Sequence, residues 1–285
     1  MKNKDFCVFI LTHGRPKNVH TYKTLKKLGY SGKIFIVIDN EDKTSEEYKK
    51  TFGDHVIVFD KEAIAKTFDE ADIFNDRRAI VYARNACFEI AKDLGIKYFM
   101  QLDDDYTAFN YKYDDKFNYI EKKIKNINLI FDILLDYYKT IDAKAIAMAQ
   151  GGDFIGGKNS ALAKKPKMKR KCMNTFICST DRPFQFIGRI NEDVNTYTNS
   201  ASKGMLFLTI PNLEIKQKAT QSNSGGMTDI YLDNGTFVKS FYSVMFSPSC
   251  CKVSLMGDKH MRLHHRIKWV NAVPKIISEQ NKKYA

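Results

Sequence analysis

Residues 6–12, FCVFILT, are an unbroken apolar run, which predicts a central parallel strand covered on both faces. The polar turn HGRP follows, and Pro16 suits the first turn of a helix, where its missing N–H costs nothing. Val19, Tyr22, Leu25 and Leu28 give that helix an apolar stripe, and Gly29 ends it. KIFIVIDN (33–40) is a second strand that closes on Asp39, and HVIVFD (55–60) is a third. The spacing in DRRAIVYARNACFEIAKDLG (76–95) predicts a helix with Ile80, Ala83, Cys87, Ile90 and Leu94 turned inward. IKYFMQLD (96–103) is the fourth strand. The order β-α-β-β-α-β predicts an α/β fold, in which ligands bind at the carboxyl ends of the strands.

The second half is less regular. Ile120, Ile124, Ile127, Phe131, Leu134, Leu135 and Tyr138 recur at helical spacing over 116–139. AKAIAMAQ (143–150) reads as a strand, and GGDFIGG (151–157) as a glycine-rich loop that lacks the Lys-Ser/Thr of a phosphate loop. Further strands are expected near 174–179, 204–210 and 237–247. MRLHHRIKW (261–269) alternates, with Leu263, His265, Ile267 and Trp269 on one face and Arg262, His264, Arg266 and Lys268 on the other. No repeat or linker divides the chain, so a single domain over 1–285 is expected.

The 285 residues, 44% of them hydrophobic, suffice for a sizeable core. A formal net charge of +13 points to an anionic partner such as nucleic acid, a nucleotide or a membrane face. The competing explanation is a Lys- and Asn-rich, Arg-poor composition of the kind an AT-rich genome produces. Six scattered cysteines, none in a C-x-x-C pair, suit reduced thiols in a cytosolic compartment. No segment is apolar for long enough to span a bilayer, so a cytoplasmic protein without membrane contact is expected.

Chemistry is concentrated first at QLDDDY, where an apolar strand ends in Asp103, Asp104 and Asp105. In an extended chain Asp103 and Asp105 fall on the same side and repel each other unless a cation lies between them. Mg²⁺ or Mn²⁺ takes such oxygen ligands and completes its shell with waters and phosphates, so a metal-bridged nucleoside diphosphate is the natural occupant. A solvated acidic turn is the plain alternative.

ARNACFEIAKDLGIKYFMQLDDDY resembles the helix, strand and D-x-D segment of GT-A glycosyltransferases, and FILTHGRPKNVHTYKTLKKLG resembles their first strand and phosphate-side turn. The resemblance implies a Rossmann-like, mixed and mostly parallel sheet flanked by helices. Residues 1–110 would form the nucleotide-binding half and 111–285 the acceptor-binding half. It also implies that Thr12 and Arg15 line the nucleotide pocket, that Asp39 contacts uracil or ribose, and that Arg84 faces the diphosphate. Asp103 would approach ribose and metal, Asp104 belongs with the nucleotide-sugar contacts, and Asp105 is the metal ligand. Arg84 and Asp39 as a structural ion pair is the alternative.

The second constellation is FIGRINEDVNTYT (186–198), whose acidic pair in a neutral segment invites a general-base reading. Asp193 is the first candidate and Glu192 the second, and inverting GT-A enzymes often carry such a pair. A helix start capped by Asn191, its acids facing the helix dipole, is compatible with this. His264 resembles the late histidine that completes the metal shell in many GT-A enzymes, while a basic strand facing phosphates is the other reading. His265 shares a face with Leu263 and Ile267 and is expected in the core. Asp153 in the glycine loop is a candidate for sugar hydroxyls.

Taken together, ILTHGRP, QLDDDY, INEDVNTY and LHHRIKW resemble the TET-associated glycosyltransferase family, which includes phage enzymes and relatives of the base J glucosyltransferase. That resemblance implies sugar transfer, with inversion, from a UDP-sugar to hydroxymethylated pyrimidine in DNA, in the host cytoplasm if the chain is phage-encoded. Lysine-rich stretches at 158–171 and 259–285 would neutralise phosphates. Within the first, Lys164, Lys165, Lys167, Lys169, Arg170 and Lys171 have no acidic neighbour, so exposed, unpaired DNA contacts are expected, and Pro166 argues against a helix. A polysaccharide or protein acceptor, a nucleotidyltransferase and a DNA-binding module without catalysis are the competing classes.

Overall fold

The computed structural model describes residues 2–218, 227–257 and 261–274, with side chains in the second stretch from 237 onward. Strands β1 (Phe6–Leu11), β2 (Lys33–Asp39), β3 (Val56–Phe59) and β4 (Tyr98–Asp103) pair in parallel in the order β3-β2-β1-β4. The sheet continues through β8 (Phe176–Ser179), β7 (Ala145–Gln150), β9 (Phe207–Gln217), β5 (Tyr106–Tyr113) and β6 (Tyr119–Lys123). In this half only β7 and β9 run parallel, so the nine strands form one mixed sheet in an α/β fold.

Alternation along β1 explains its unbroken apolarity. Phe6, Val8 and Ile10 enter one core with Leu25 of α1 (His20–Lys27), Tyr48 of α2 (Ser45–Phe52) and Phe131, Leu135 and Tyr138 of α5 (Ile127–Thr140). Cys7, Phe9 and Leu11 enter a second core on the opposite face. There they meet Ile64 of α3 (Lys61–Ala65), Tyr82 and Cys87 of α4 (Val81–Asp93), and Val194 and Tyr197 of α7 (Glu192–Ser202). All six cysteines are free and buried. Gly29 ends the first helix with φ +73°, which a glycine adopts without penalty.

Several expectations are corrected. The helix expected over 76–95 begins only at Val81 and is buried nearly all round, Arg84 and Asn85 included, while Leu94 is exposed. Helical spacing over 116–139 conceals strand β6, because an edge strand with Glu121, Lys122 and Lys123 outward has little apolar pattern of its own. Ala161–Lys164 forms a short helix, α6, ahead of Pro166. The segment 237–247 is not a strand but the end of helix α8 (Met227–Phe246). Its outward face carries Phe237, Phe241 and Met245, and its buried face carries Ser240 and Ser243, followed by Ser247 just past the helix. Two of those hydroxyls are satisfied by α7: Ser243 Oγ donates to Asn195 Oδ1 at 2.8 Å and Ser247 Oγ to Thr198 Oγ1 at 3.1 Å. With serines buried and Phe237, Phe241 and Met245 outward, the described part of α8 shows no clean apolar stripe. Strands β10 (Cys251–Met256) and β11 (Arg262–Ile267) form a separate antiparallel hairpin packed on α8.

Candidate active site

Helix α1 holds the aspartate triplet in place. The Thr21 N–H donates to the Asp104 carbonyl at 3.0 Å, and the Tyr106 N–H donates to Thr21 Oγ1 at 2.9 Å. Asp104 and Asp105 therefore occupy a turn between β4 and β5 and do not continue the strand as expected. Asp104 points inward: Thr12 Oγ1 donates to it at 2.6 Å and the Arg15 guanidinium lies 3.2 Å away. Tyr48, which the sequence did not flag, binds Thr12 Oγ1 at 2.8 Å and accepts from the Arg15 N–H at 2.9 Å. Thr12, Arg15 and Asp104 are thus one buried assembly beneath the turn.

Asp105 differs. Its Oδ1 is buried with no hydrogen-bond partner, and burial, then the charges of Asp103 and Asp104, push its carboxyl up to about 7. Asp103 is also raised by burial, against the pull of Arg84. A carboxylate oxygen without a donor, next to others of like charge, suits a cation.

Arg84 is 2% exposed and is engaged on two sides. Its Nη2 donates to Asp103 Oδ1 at 2.9 Å and its Nε to Glu192 Oε1 at 3.0 Å, with the guanidinium over the Phe176 ring. Only Nη1 of Arg84 lacks a partner, and the guanidinium, expected to face a diphosphate, joins the D-x-D turn to the E-D pair. Nor does it pair with Asp39. Asp39 binds His13 Nδ1 at 2.7 Å and the buried Lys61 ammonium at 2.8 Å. Burial opposes charge on Asp39, but those two partners hold its carboxyl below the usual range, and Asp39 in turn raises the His13 imidazole. His13 lies inside the HGRP turn beside two residues already singled out. Lys61 carries no local signal, because a buried lysine is recognisable only from its carboxylates.

Glu192 and Asp193 open α7, and both carboxyls are raised, chiefly by burial. Asp193 accepts from the Val194 N–H at 2.7 Å. Asn191 stands at the cap position but does not cap. It adopts φ +62°, and its amide donates to Ser243 Oγ at 2.6 Å and meets His265 Nδ1 at 3.3 Å. The α8–hairpin unit thereby fixes the turn that delivers the acid pair. Gly188 permits this packing: a Cβ there would come within 2.3 Å of Asn195 Nδ2 and 2.6 Å of the Phe246 ring.

His264 is half-buried, its ring centroid 4.2 Å from that of His265. Among the described residues no three His, Cys, Asp or Glu side chains gather as a metal site. The basic loop is also corrected. Lys164, Lys165 and Lys167 are exposed, but Lys169 and Lys171 pair with the buried Asp153, Lys169 at 3.0 Å. Arg170 donates to the Trp269 carbonyl and stacks on its ring. Asp153 is therefore occupied by lysines, an acid just outside the segment whose proximity the loop's own sequence does not reveal. The lysine-rich stretch from 259 lies largely outside the described residues.

Among the described residues no helix is long and apolar enough to cross a membrane. Among curated proteins no sequence matches the chain. A cytidylyltransferase from Leptospira borgpetersenii serovar Hardjo-bovis (strain JB197) is a loosely similar solved structure, with 14% identity and a TM-score of 0.36 over 86% of this chain and 92% of that one. The family model of the TET-associated glycosyltransferases matches residues 6–226, a stretch that holds the aspartate turn, Arg84 and the acid pair; the chain belongs to that family and is a glycosyltransferase that uses a nucleotide-sugar donor.

Proposed function

We propose that the chain transfers a sugar from a UDP-sugar to the hydroxymethyl group of a modified pyrimidine in DNA, by a single inverting displacement. The observation that carries the catalytic part is Arg84, one buried guanidinium shared by Asp103 and Glu192 from segments far apart in sequence. That shared guanidinium supports a single site made of the aspartate turn and the acid pair. The basic balance of the chain supports a polyanionic acceptor.

Asp193 takes the proton of the acceptor hydroxyl as its oxygen attacks the anomeric carbon. The bond from that carbon to the diphosphate oxygen breaks, and the nucleoside diphosphate leaves with the electron pair. Burial raises Asp193 and so strengthens it as a base, provided that it is ionised. Glu192, neutralised by Arg84, is left to position the turn.

Mg²⁺ or Mn²⁺ fits the donor side. Asp103 and Asp105 offer hard oxygen ligands, the Asp105 Oδ1 has no partner, and such ions need only one or two carboxylates when substrate phosphates are present. The ion would supply charge neutralisation for the departing diphosphate. Asp105→Ala is expected to abolish Mn²⁺ binding, measured by calorimetry with nucleoside diphosphate present, and to abolish transfer. Full turnover in excess EDTA excludes the metal.

The whole reading is tested by incubating the protein with hydroxymethylated DNA and a panel of sugar nucleotides, then weighing the nucleosides. A mass gain of one hexose or pentose residue, in the inverted configuration, is expected. Transfer to a polysaccharide or protein with DNA untouched would replace the acceptor. A product that keeps the nucleoside monophosphate would make the chain a nucleotidyltransferase.

A further inference from the structure

We propose that the outer face of the β10–β11 hairpin is a docking surface for the phosphate backbone of the acceptor, beside the acid pair of α7. The proposal rests on the reading of DNA as the acceptor.

The hairpin has two unlike faces. In its register Cys251 pairs with Ile267, Val253 with His265 and Leu255 with Leu263. Cys251 packs with Val244, Ile267 and Trp269, and His265 reaches Asn191, so this end of the face is turned toward the body of the protein, while Leu255 at the other end is exposed. The alternate pairs are Lys252 with Arg266, Ser254 with His264 and Met256 with Arg262, which share the other face by strand alternation. Lys252, Arg262 and Arg266 are exposed. Neither strand contains an acidic residue.

Lys252 directly opposite Arg266 is a cross-strand pair of like charge, which destabilises a sheet when no anion lies between the two. The fold gains nothing from it. A run of phosphates would turn this repulsion into attraction. From Arg262 to Arg266 the strand covers about 13 Å, roughly the rise of four base pairs at about 3.4 Å each. Such a surface reads charge and spacing rather than sequence.

Its position matters as much as its charge. His265, on the same strand, meets Asn191, and Asn191 immediately precedes Glu192 and Asp193. The hairpin that carries Arg262 and Arg266 therefore adjoins, through its inner face, the turn that holds Glu192 and Asp193. The hairpin and the described part of α8 lie beyond residue 226, where the family match ends. Acceptor docking is in this way assigned to a segment separate from the aspartate turn.

The test compares the full-length protein with two charge-matched triple variants. One is Lys252→Gln/Arg262→Gln/Arg266→Gln. The other, Lys122→Gln/Lys123→Gln/Lys125→Gln, removes the same net charge on and after the edge strand β6. Binding to fluorescent hydroxymethylated duplex DNA is measured across salt concentrations, and UDP binding is measured in parallel. Each lost phosphate contact lowers the slope of log K against log salt by about 0.9, so the hairpin variant is expected to lose roughly 2.7. It should bind DNA at least about tenfold more weakly near 0.1 M salt, with UDP affinity unchanged. The control variant should keep the wild-type slope. A hairpin variant that behaves like the control overturns the docking surface while the DNA reading stands. A wild-type protein that neither binds nor modifies DNA overturns both. Should the triple variant fail to fold, shown by loss of UDP binding, Arg266→Gln alone decides in the same way, with an expected slope loss of about 0.9.

Discussion

Asp193→Asn is expected to lower kcat by roughly 10²-fold or more while donor affinity stays within error of wild type. The asparagine keeps the shape of the side chain and still accepts from the Val194 N–H, so the start of α7 survives. It cannot take a proton from the acceptor hydroxyl. The same change should alter the pH profile. Burial raises the Asp193 carboxyl, so the wild-type rate should fall, as pH drops, at values above the ordinary aspartate range of about 4. Asp105, its carboxyl pushed up to about 7, adds an acid limb of its own, so the residual activity of the variant should lose only the part of the limb that Asp193 sets. Rates measured at saturating donor and acceptor from pH 4 to pH 9 decide it. A variant with wild-type kcat, or an unchanged acid limb, removes Asp193 from the role of base and moves attention to Glu192.

Arg84→Met should destabilise the protein by about 3–5 kcal/mol, the usual cost of removing one partner from a buried ion pair. Methionine fills much of the space over Phe176 but leaves Asp103 and Glu192 without their shared donor. Two uncompensated carboxyls then face each other, and both must protonate or find water. Arg84→Lys is not expected to rescue, since an ammonium is a point donor and cannot present Nε and Nη2 in a fixed fork. Adding Glu192→Gln to Arg84→Met should recover part of the loss, because it removes one stranded charge. Urea unfolding of the two single variants and the double variant gives the coupling energy. Strictly additive losses would mean that Arg84 packs against the ring without joining the two halves of the site. Activity is expected to fall in Arg84→Met even where the protein remains folded, which distinguishes positioning from stability alone.

Local pattern located the four parallel strands of the first 103 residues and the helices α1 and α4, but not α2 or α3. The runs at 6–12, 33–40 and 55–60 are strands within a residue or two; β1 is continuously apolar because both its faces are covered, while β3 lies at the sheet edge with Val58 exposed. Gly29 and Gly95, both at positive φ, mark the helix ends that sequence rules place there. The D-x-D turn and the E-D pair were visible as charges out of context, whereas the alternation in β11, which sets His264 and His265 on opposite faces, does not reveal that their rings lie 4.2 Å apart.

Local pattern therefore accounts for the periodic part: the parallel strands, the helices with apolar stripes, and the two acidic segments. What each charge meets follows only from the folded chain. Arg84 and Glu192 are 108 positions apart, Asp153 and Lys169 are 16 apart, and Asn191 and Ser243 are 52 apart. No period of 2 or 3.6 residues encodes such distances. The same reason explains the end of α8, where two buried serines find their hydrogen-bond partners on α7, and Asp104, which turns inward because Thr12 and Arg15 lie beneath it. Apolar residues need only any apolar neighbour and so announce themselves locally. A buried polar group needs one particular partner, and that partner is known only once the chain has folded.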